Sequence, residues 1–296
     1  MSYALLLFTL SLVADAQTPT PTADSVYEKS VKIGYHSLYA RSTGPEDARL
    51  TVVFESGAGG NSKDWEHIQM SMPEEVRTIA YDRAGVGKSD VGPMPRTFSQ
   101  EALELHEMLK SLDVSGPVIL VGQSIGGLLA RVYVEQYGQN VAGLVLLDPT
   151  HESSMLGSMR YGGWTRLREK ATGHLIPIPQ LLQRISPGYD STVDYAAGDF
   201  QKIYLMRMTN PTPLGNRPLI VVGAGIRKQP PGTPDDQWKE LRSERDSQIQ
   251  DLTSLSDNSR FILDTKSGHS IHIDNPTLVA QAIGDVIQAV RTKKKL

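Results

Sequence analysis

Short apolar runs alternate with amphipathic stretches through the second half of the chain. Residues 118–121, 141–147, 219–222 and 261–263 are free of charge, while 99–112, 128–137, 237–255 and 277–290 carry apolar side chains at helical spacing. Uninterrupted runs of this length bounded by turn residues predict strands buried on both faces, and the 3.6-residue period predicts helices packed against them. Residues 31–82 are rich in further strand-like segments, including 50–53. The expected class is therefore α/β, with a mostly parallel doubly wound sheet whose ligand sites lie beyond the carboxyl ends of the strands. The alternation breaks over residues 149–217, which carry Met155, Trp164, Leu181, Tyr195 and Phe200 among many apolar side chains. So long an interruption in a compact domain predicts a helical cap or lid insertion.

The N-terminus has a different character. Residues 4–13 are apolar but too short to span a bilayer as a stable anchor, and Ala14-Asp15-Ala16 has the small-x-small pattern of a cleavage site. The organisation read from the pattern is a signal peptide over 1–16 and a flexible linker over 17–26. A catalytic core over 27–148 and 218–296 follows, interrupted by the cap over 149–217. Export to a periplasmic or extracellular compartment follows from the leader, although no Lys or Arg precedes the apolar run. A net charge of −3 over 296 residues offers no field for nucleic acid or an anionic membrane surface. The absence of cysteine excludes thiol catalysis, a disulfide framework and thiolate metal sites.

The chemistry begins at Gly122-Gln123-Ser124-Ile125-Gly126, which follows the apolar run ending at Val121 and opens a helical segment. A strand, a tight turn and a helix around a central serine are the context of a nucleophile elbow, where the hydroxyl projects from the strand end. A serine hydroxyl is a poor nucleophile at neutral pH and needs a base whose pKa lies near the working pH, and Ser267-Gly268-His269 supplies one on a predicted strand-to-helix loop. His272 lies three residues further on and suits a role in stabilising the loop or lining the pocket. His151, just past a predicted strand end, is a further histidine to place.

Two more blocks complete the pattern, Phe54-Glu55-Ser56-Gly57-Ala58-Gly59-Gly60 and Tyr81-Asp82-Arg83-Ala84-Gly85-Val86-Gly87-Lys88-Ser89-Asp90. No Lys-Ser/Thr follows Gly60, so the first is not a phosphate loop. With four blocks in order, the chain from about residue 50 onward resembles the serine hydrolases of the α/β-hydrolase fold, the esterase and proline iminopeptidase-like superfamily. Many members of that family have His-Gly where this chain has Ser56-Gly57. The resemblance implies that the amides of Ala58 and Ile125 form the oxyanion hole, and that the Asp82-Arg83 block is architectural. It implies two places for the acid. Asp148 stands at the first, the end of the strand 141–147, whereas the second is followed by Ile226-Arg227-Lys228 with no carboxylate until Asp235 and Asp236. Asp148 is the first choice, with Asp236 or Asp235 as the alternative.

The resemblance implies ester hydrolysis through an acyl-enzyme, with no cofactor and no metal, on a small-molecule substrate with an apolar part. The alternatives are an amidase or aminopeptidase, which would need an acid such as Glu55, Glu152, Asp190 or Asp194 to hold a substrate amine, or a receptor-like ligand sensor with little turnover. A serine at the elbow argues against dehalogenase and epoxide-hydrolase chemistry, which in this fold use Asp there.

Overall fold

A computed structural model describes residues 26–153 and 195–296. The predicted leader, nearly all of the linker, and most of the predicted cap lie outside the described residues. Eight strands form one sheet: β1 (Val26–Ile33), β2 (His36–Thr43), β3 (Thr51–Glu55), β4 (Arg77–Tyr81), β5 (Val118–Gln123), β6 (Val141–Leu147), β7 (Leu219–Ala224) and β8 (Ser259–Asp264). Their order across the sheet is β1-β2-β4-β3-β5-β6-β7-β8. The β1–β2 and β2–β4 pairs are antiparallel and every later pair is parallel.

The helices are α1 (Glu66–Gln69), α2 (Phe98–Ser111), α3 (Ile125–Tyr137), α4 (Tyr195–Thr209), α5 (Asp235–Asp251), α6 (Ile271–Asp274) and α7 (Pro276–Thr292). The apolar strands read as unbroken runs because both faces of the sheet are covered. Successive side chains point to opposite faces. Val53, Leu120, Leu144, Leu146 and Val221 pack on one side with Leu105, Met108, Leu128 and Phe200. Val52, Phe54, Ile119, Val121, Val145 and Val222 pack on the other with Trp65, Ile283, Val286 and Ile287. The register of β5 against β3 and β6 aligns Gln123 with Leu147 and Gly122 with Glu55, bringing three strand ends to one edge.

Helix α7 shows how local sequence sets an element. Pro276 occupies its first turn, Asn275 accepts a cap hydrogen bond from the amide of Leu278 at 3.3 Å, and Val279, Ala282, Ile283, Val286 and Ile287 form its buried stripe. Helix α5 is the opposite case, since Ile249 is its only buried residue. Helix α3 begins three residues before the apolar period suggests, because Gly126 and Gly127 belong to it without contributing a hydrophobic side chain. Among the described residues no helix is long and apolar enough to cross a membrane.

Leu120, fully buried in the middle of β5, tests the core. Leu120→Ala is expected to lower unfolding stability by about 2–5 kcal/mol, the usual cost of a core cavity, as read by urea denaturation.

Candidate active site

Ser124 stands between the last residue of β5 and the first of α3, with φ 55° and ψ −122°. A non-glycine residue in that region carries about 1–3 kcal/mol of strain, so surrounding contacts must hold it. They do: the Ser124 amide donates to Leu147 at 3.0 Å, and the Ser124 carbonyl accepts from Gly127 and Thr150, each at 3.0 Å. The elbow glycines make the close approach possible. A Cβ on Gly122 would lie 2.7 Å from the Gly126 carbonyl oxygen, and one on Gly126 would overlap the carbonyl oxygens of Glu55 and Ser56.

The loop after β8 brings His269 to the serine, with Nε2 2.9 Å from Ser124 Oγ and Nδ1 2.6 Å from Asp148 Oδ2. The His269 side chain is 51% exposed, whereas Asp148 is 0% exposed. Gln123 fixes the histidine loop by donating from Nε2 to the His269 carbonyl at 3.0 Å, and Asp274 accepts from the Gly268 amide at 2.8 Å.

Asp148 ends β6 with φ 39° and is tied to β7, donating its amide to Val222 at 2.7 Å and accepting from Ala224 at 3.3 Å. Burial pushes the Asp148 carboxyl up. The hydrogen bond with His269 and the charges of Arg245 and Arg227 outweigh it and hold the carboxyl well below the usual carboxylate range. Arg227 Nη2 donates to Oδ1 at 2.9 Å and Arg245 Nη2 to Oδ2 at 3.2 Å. The place after β7 that lacks a carboxylate thus holds a guanidinium that supports the acid on β6. Asp235 and Asp236 open α5, where negative charge suits the helix N-terminus, and Asp235 accepts from Gln229 at 2.8 Å. The structure brings Asp148, not either of these two, to His269.

Of the amides expected to form an oxyanion hole, that of Ile125 follows the serine in the chain and that of Ala58 lies in the loop after β3. Ile125 is the first residue of α3, and Ala58 follows Gly57, whose added Cβ would lie 3.3 Å from Ser124 Cβ. Ser56, standing where many relatives have histidine, accepts from Trp65 Nε1 at 2.8 Å and donates to the Asn61 carbonyl at 3.2 Å. Beneath this loop, Glu55 is 0% exposed, accepts from the Tyr81 hydroxyl and lies 3.6 Å from Arg83. Its burial, outweighing the Arg83 charge, pushes its carboxyl up to about 7. Arg83 also donates to the carbonyls of Ser56 and Gly57, at 2.5 and 2.7 Å. Asp82 accepts from the amides of Ser62 and Lys88, each at 2.8 Å. These hydrogen bonds show which loop each residue of the Asp82-Arg83 block serves.

His272 stacks on Trp65 with ring centroids 4.5 Å apart, and burial lowers its pKa to about 4. Its place is in the packing beneath the loop. His151 and Glu152 belong to an ionic cluster where the chain leaves β6. Arg131 donates to Glu152 at 2.8 Å, Arg207 donates to Glu152 at 2.8 Å, and His151 Nε2 lies 3.0 Å from Asp251. Asp190 and Asp194 lie outside the described residues.

Eight strands in this order, with a serine at the β5–α3 turn and an aspartate–histidine pair behind it, define an α/β hydrolase architecture. The sequence profile of the alpha/beta hydrolase family matches residues 52–282, and the chain belongs to that family. It is 30% identical over 237 residues to the uncharacterized protein YqjL of Bacillus subtilis strain 168, covering 80% of this chain and 83% of that one. Among solved structures it is similar to a thermophilic esterase from Thermogutta terrifontis, with TM-score 0.59 and 20% identity, covering 90% of this chain and 98% of that one. It is likewise similar to a serine hydrolase involved in carbazole degradation, the CarC enzyme, with TM-score 0.55 and 19% identity over 89% of this chain and 99% of that one. At these identities the two structures share the fold.

The Glu152 cluster gives a pH test. Burial raises this carboxyl, but Arg131, by charge and hydrogen bond, brings it down to about 2 from 4.5. A carboxyl depressed by folding stabilises the protein above its unfolded pKa and loses that contribution as pH falls through the folded value. Glu152→Gln is expected to lower stability at pH 7 by roughly 3 kcal/mol. In paired thermal melts, the gap from wild type should narrow between pH 4.5 and 2.

Proposed function

We propose that the protein is a serine hydrolase that cleaves carboxylic esters through an acyl-enzyme, without a cofactor. The observation that carries this reading is the hydrogen-bonded line Ser124–His269–Asp148, with its acid buried and held ionised by two guanidiniums. In the proposed reaction Ser124 Oγ attacks the ester carbonyl carbon while His269 Nε2 takes the hydroxyl proton. Asp148 holds the tautomer that presents Nε2 and stabilises the imidazolium without taking the proton. The carbonyl oxygen, now negative, accepts hydrogen bonds from the Ala58 and Ile125 amides. Collapse breaks the bond to the alcohol oxygen, which leaves with the proton from His269. Water then attacks the acyl-enzyme, with His269 as base, and releases the carboxylic acid and free Ser124.

Among the described residues, the two acids that could hold a substrate amine are already committed, which supports an ester over a substrate with a free amine. Glu55 is enclosed by Tyr81 and Arg83, and Glu152 by Arg131 and Arg207, so neither offers an uncommitted charge to an ammonium group. The apolar composition of residues 149–217 supports a substrate with an apolar acyl or alcohol part.

The test is hydrolysis of p-nitrophenyl esters over a range of acyl lengths, with a fluorophosphonate probe to label the nucleophile. Turnover and labelling are expected in the wild type and in Asp236→Asn, and neither in Ser124→Ala. Asp148→Asn is expected to lower kcat by about 10⁴-fold. Labelling without turnover on any ester would overturn the esterase reading, and Asp148→Asn at full rate would overturn the acid.

A further inference from the structure

The fold brings Arg83 under the loop that follows β3, and its two terminal nitrogens donate to successive carbonyls, Ser56 at 2.5 Å and Gly57 at 2.7 Å. The Gly57 carbonyl and the Ala58 N–H belong to one planar peptide unit and point in opposite directions. Whatever fixes one fixes the other. We propose that Arg83 is a positioning residue for the oxyanion hole, orienting the Gly57–Ala58 peptide so that its N–H faces the carbonyl oxygen of the substrate. This rests on the serine hydrolase reading and deepens it.

Three observations support the inference. The Arg83 side chain is only 11% exposed and is enclosed by acids, with Glu55 Oε2 at 3.6 Å and Glu101 Oε2 at 3.7 Å, so its fork is held in one orientation. Glu101 in turn lies 3.6 Å from Arg96, which donates to both oxygens of Glu104, extending the scaffold to α2. A Cβ on Gly57 would overlap Gln123 Oε1, and Gln123 Nε2 donates to the His269 carbonyl. A guanidinium thus meets the carbonyl of this peptide, and the amide side chain packed against Gly57 is also linked to the proposed base. A charged donor on the carbonyl polarises the amide as well, making its N–H a stronger donor where negative charge develops.

Buried charge makes Arg83→Gln a risk to folding, because Glu55 would lose its cation. Arg83→Lys, which keeps the charge but loses the fork, and the charge-balanced pair Arg83→Gln with Glu55→Gln are therefore studied beside it. The readouts are kcat and KM per active site, the second-order rate of phosphonylation by a fluorophosphonate, and Ki for a trifluoromethyl ketone, whose tetrahedral adduct places an oxyanion in the hole. The proposal expects kcat and the phosphonylation rate to fall about 10- to 100-fold in Arg83→Lys and further in the double variant. KM should be nearly unchanged, and Ki should rise in parallel.

A purely structural role would lower the melting temperature and the fraction of labelled sites while leaving kcat per site and Ki at wild-type values, and that result would overturn the proposal. If the wild type itself is inert to ester and probe, the serine hydrolase reading fails. If the wild type reacts and Arg83→Lys reacts as fast, only the present inference fails.

Discussion

The buried Asp148 carboxylate is the constraint around which the site is arranged. Fully enclosed at the end of β6, it would lose its charge to desolvation unless matched, and Arg227 and Arg245 provide the matching positive charge from two separate elements. That requirement explains α5, which has only one buried residue yet carries Arg245 to the acid. It also gives a reason for an arginine where relatives of this fold often have their acid. With the negative charge secured, Asp148 can orient His269 from below while the imidazole stays half open above.

Two residues with φ in the left-handed region, Ser124 at φ 55° and Asp148 at φ 39°, follow the ends of neighbouring strands. Neither conformation is locally favourable, and each is stabilised by ladder hydrogen bonds across the strand ends, Ser124 to Leu147 and Asp148 to Val222. The rigidity of the parallel sheet thus holds the geometry of the site. The same logic extends to the loop after β3, where Arg83, Gln123 and Trp65 each hold one segment of a turn with no regular structure of its own.

Much of the architecture was legible because its determinants are contiguous. Strands covered on both faces must be apolar along their whole length, and α7 must show a stripe, so β5, β6, β7 and α7 could be read directly. Helix α3 was read as starting late because Gly126 and Gly127 serve the close approach of backbones and not the apolar period. Ser124 and His269 were legible because a glycine-flanked serine after a strand, and a histidine on a strand-to-helix loop, are local patterns. The ionic partners of Glu55 and Glu152 were not legible, since each lies on a different element, beyond the reach of any local pattern.

The sequence alone therefore determined the alternation of strand and helix, the strand ends at which chemistry-bearing residues fall, and the family to which such blocks point. It ranked Asp148 ahead of Asp236 and Asp235, and His269 ahead of His272, from position along the chain, with no physical contact to support either order. Only the tertiary structure decided that Asp148, 121 residues away in sequence, is the partner of His269, that His272 packs on Trp65, and that Arg227 turns towards the acid. The physical reason is range: periodicity and turn preference act over a few residues, whereas desolvation and charge pairing depend on which distant groups the sheet register brings within a few ångströms.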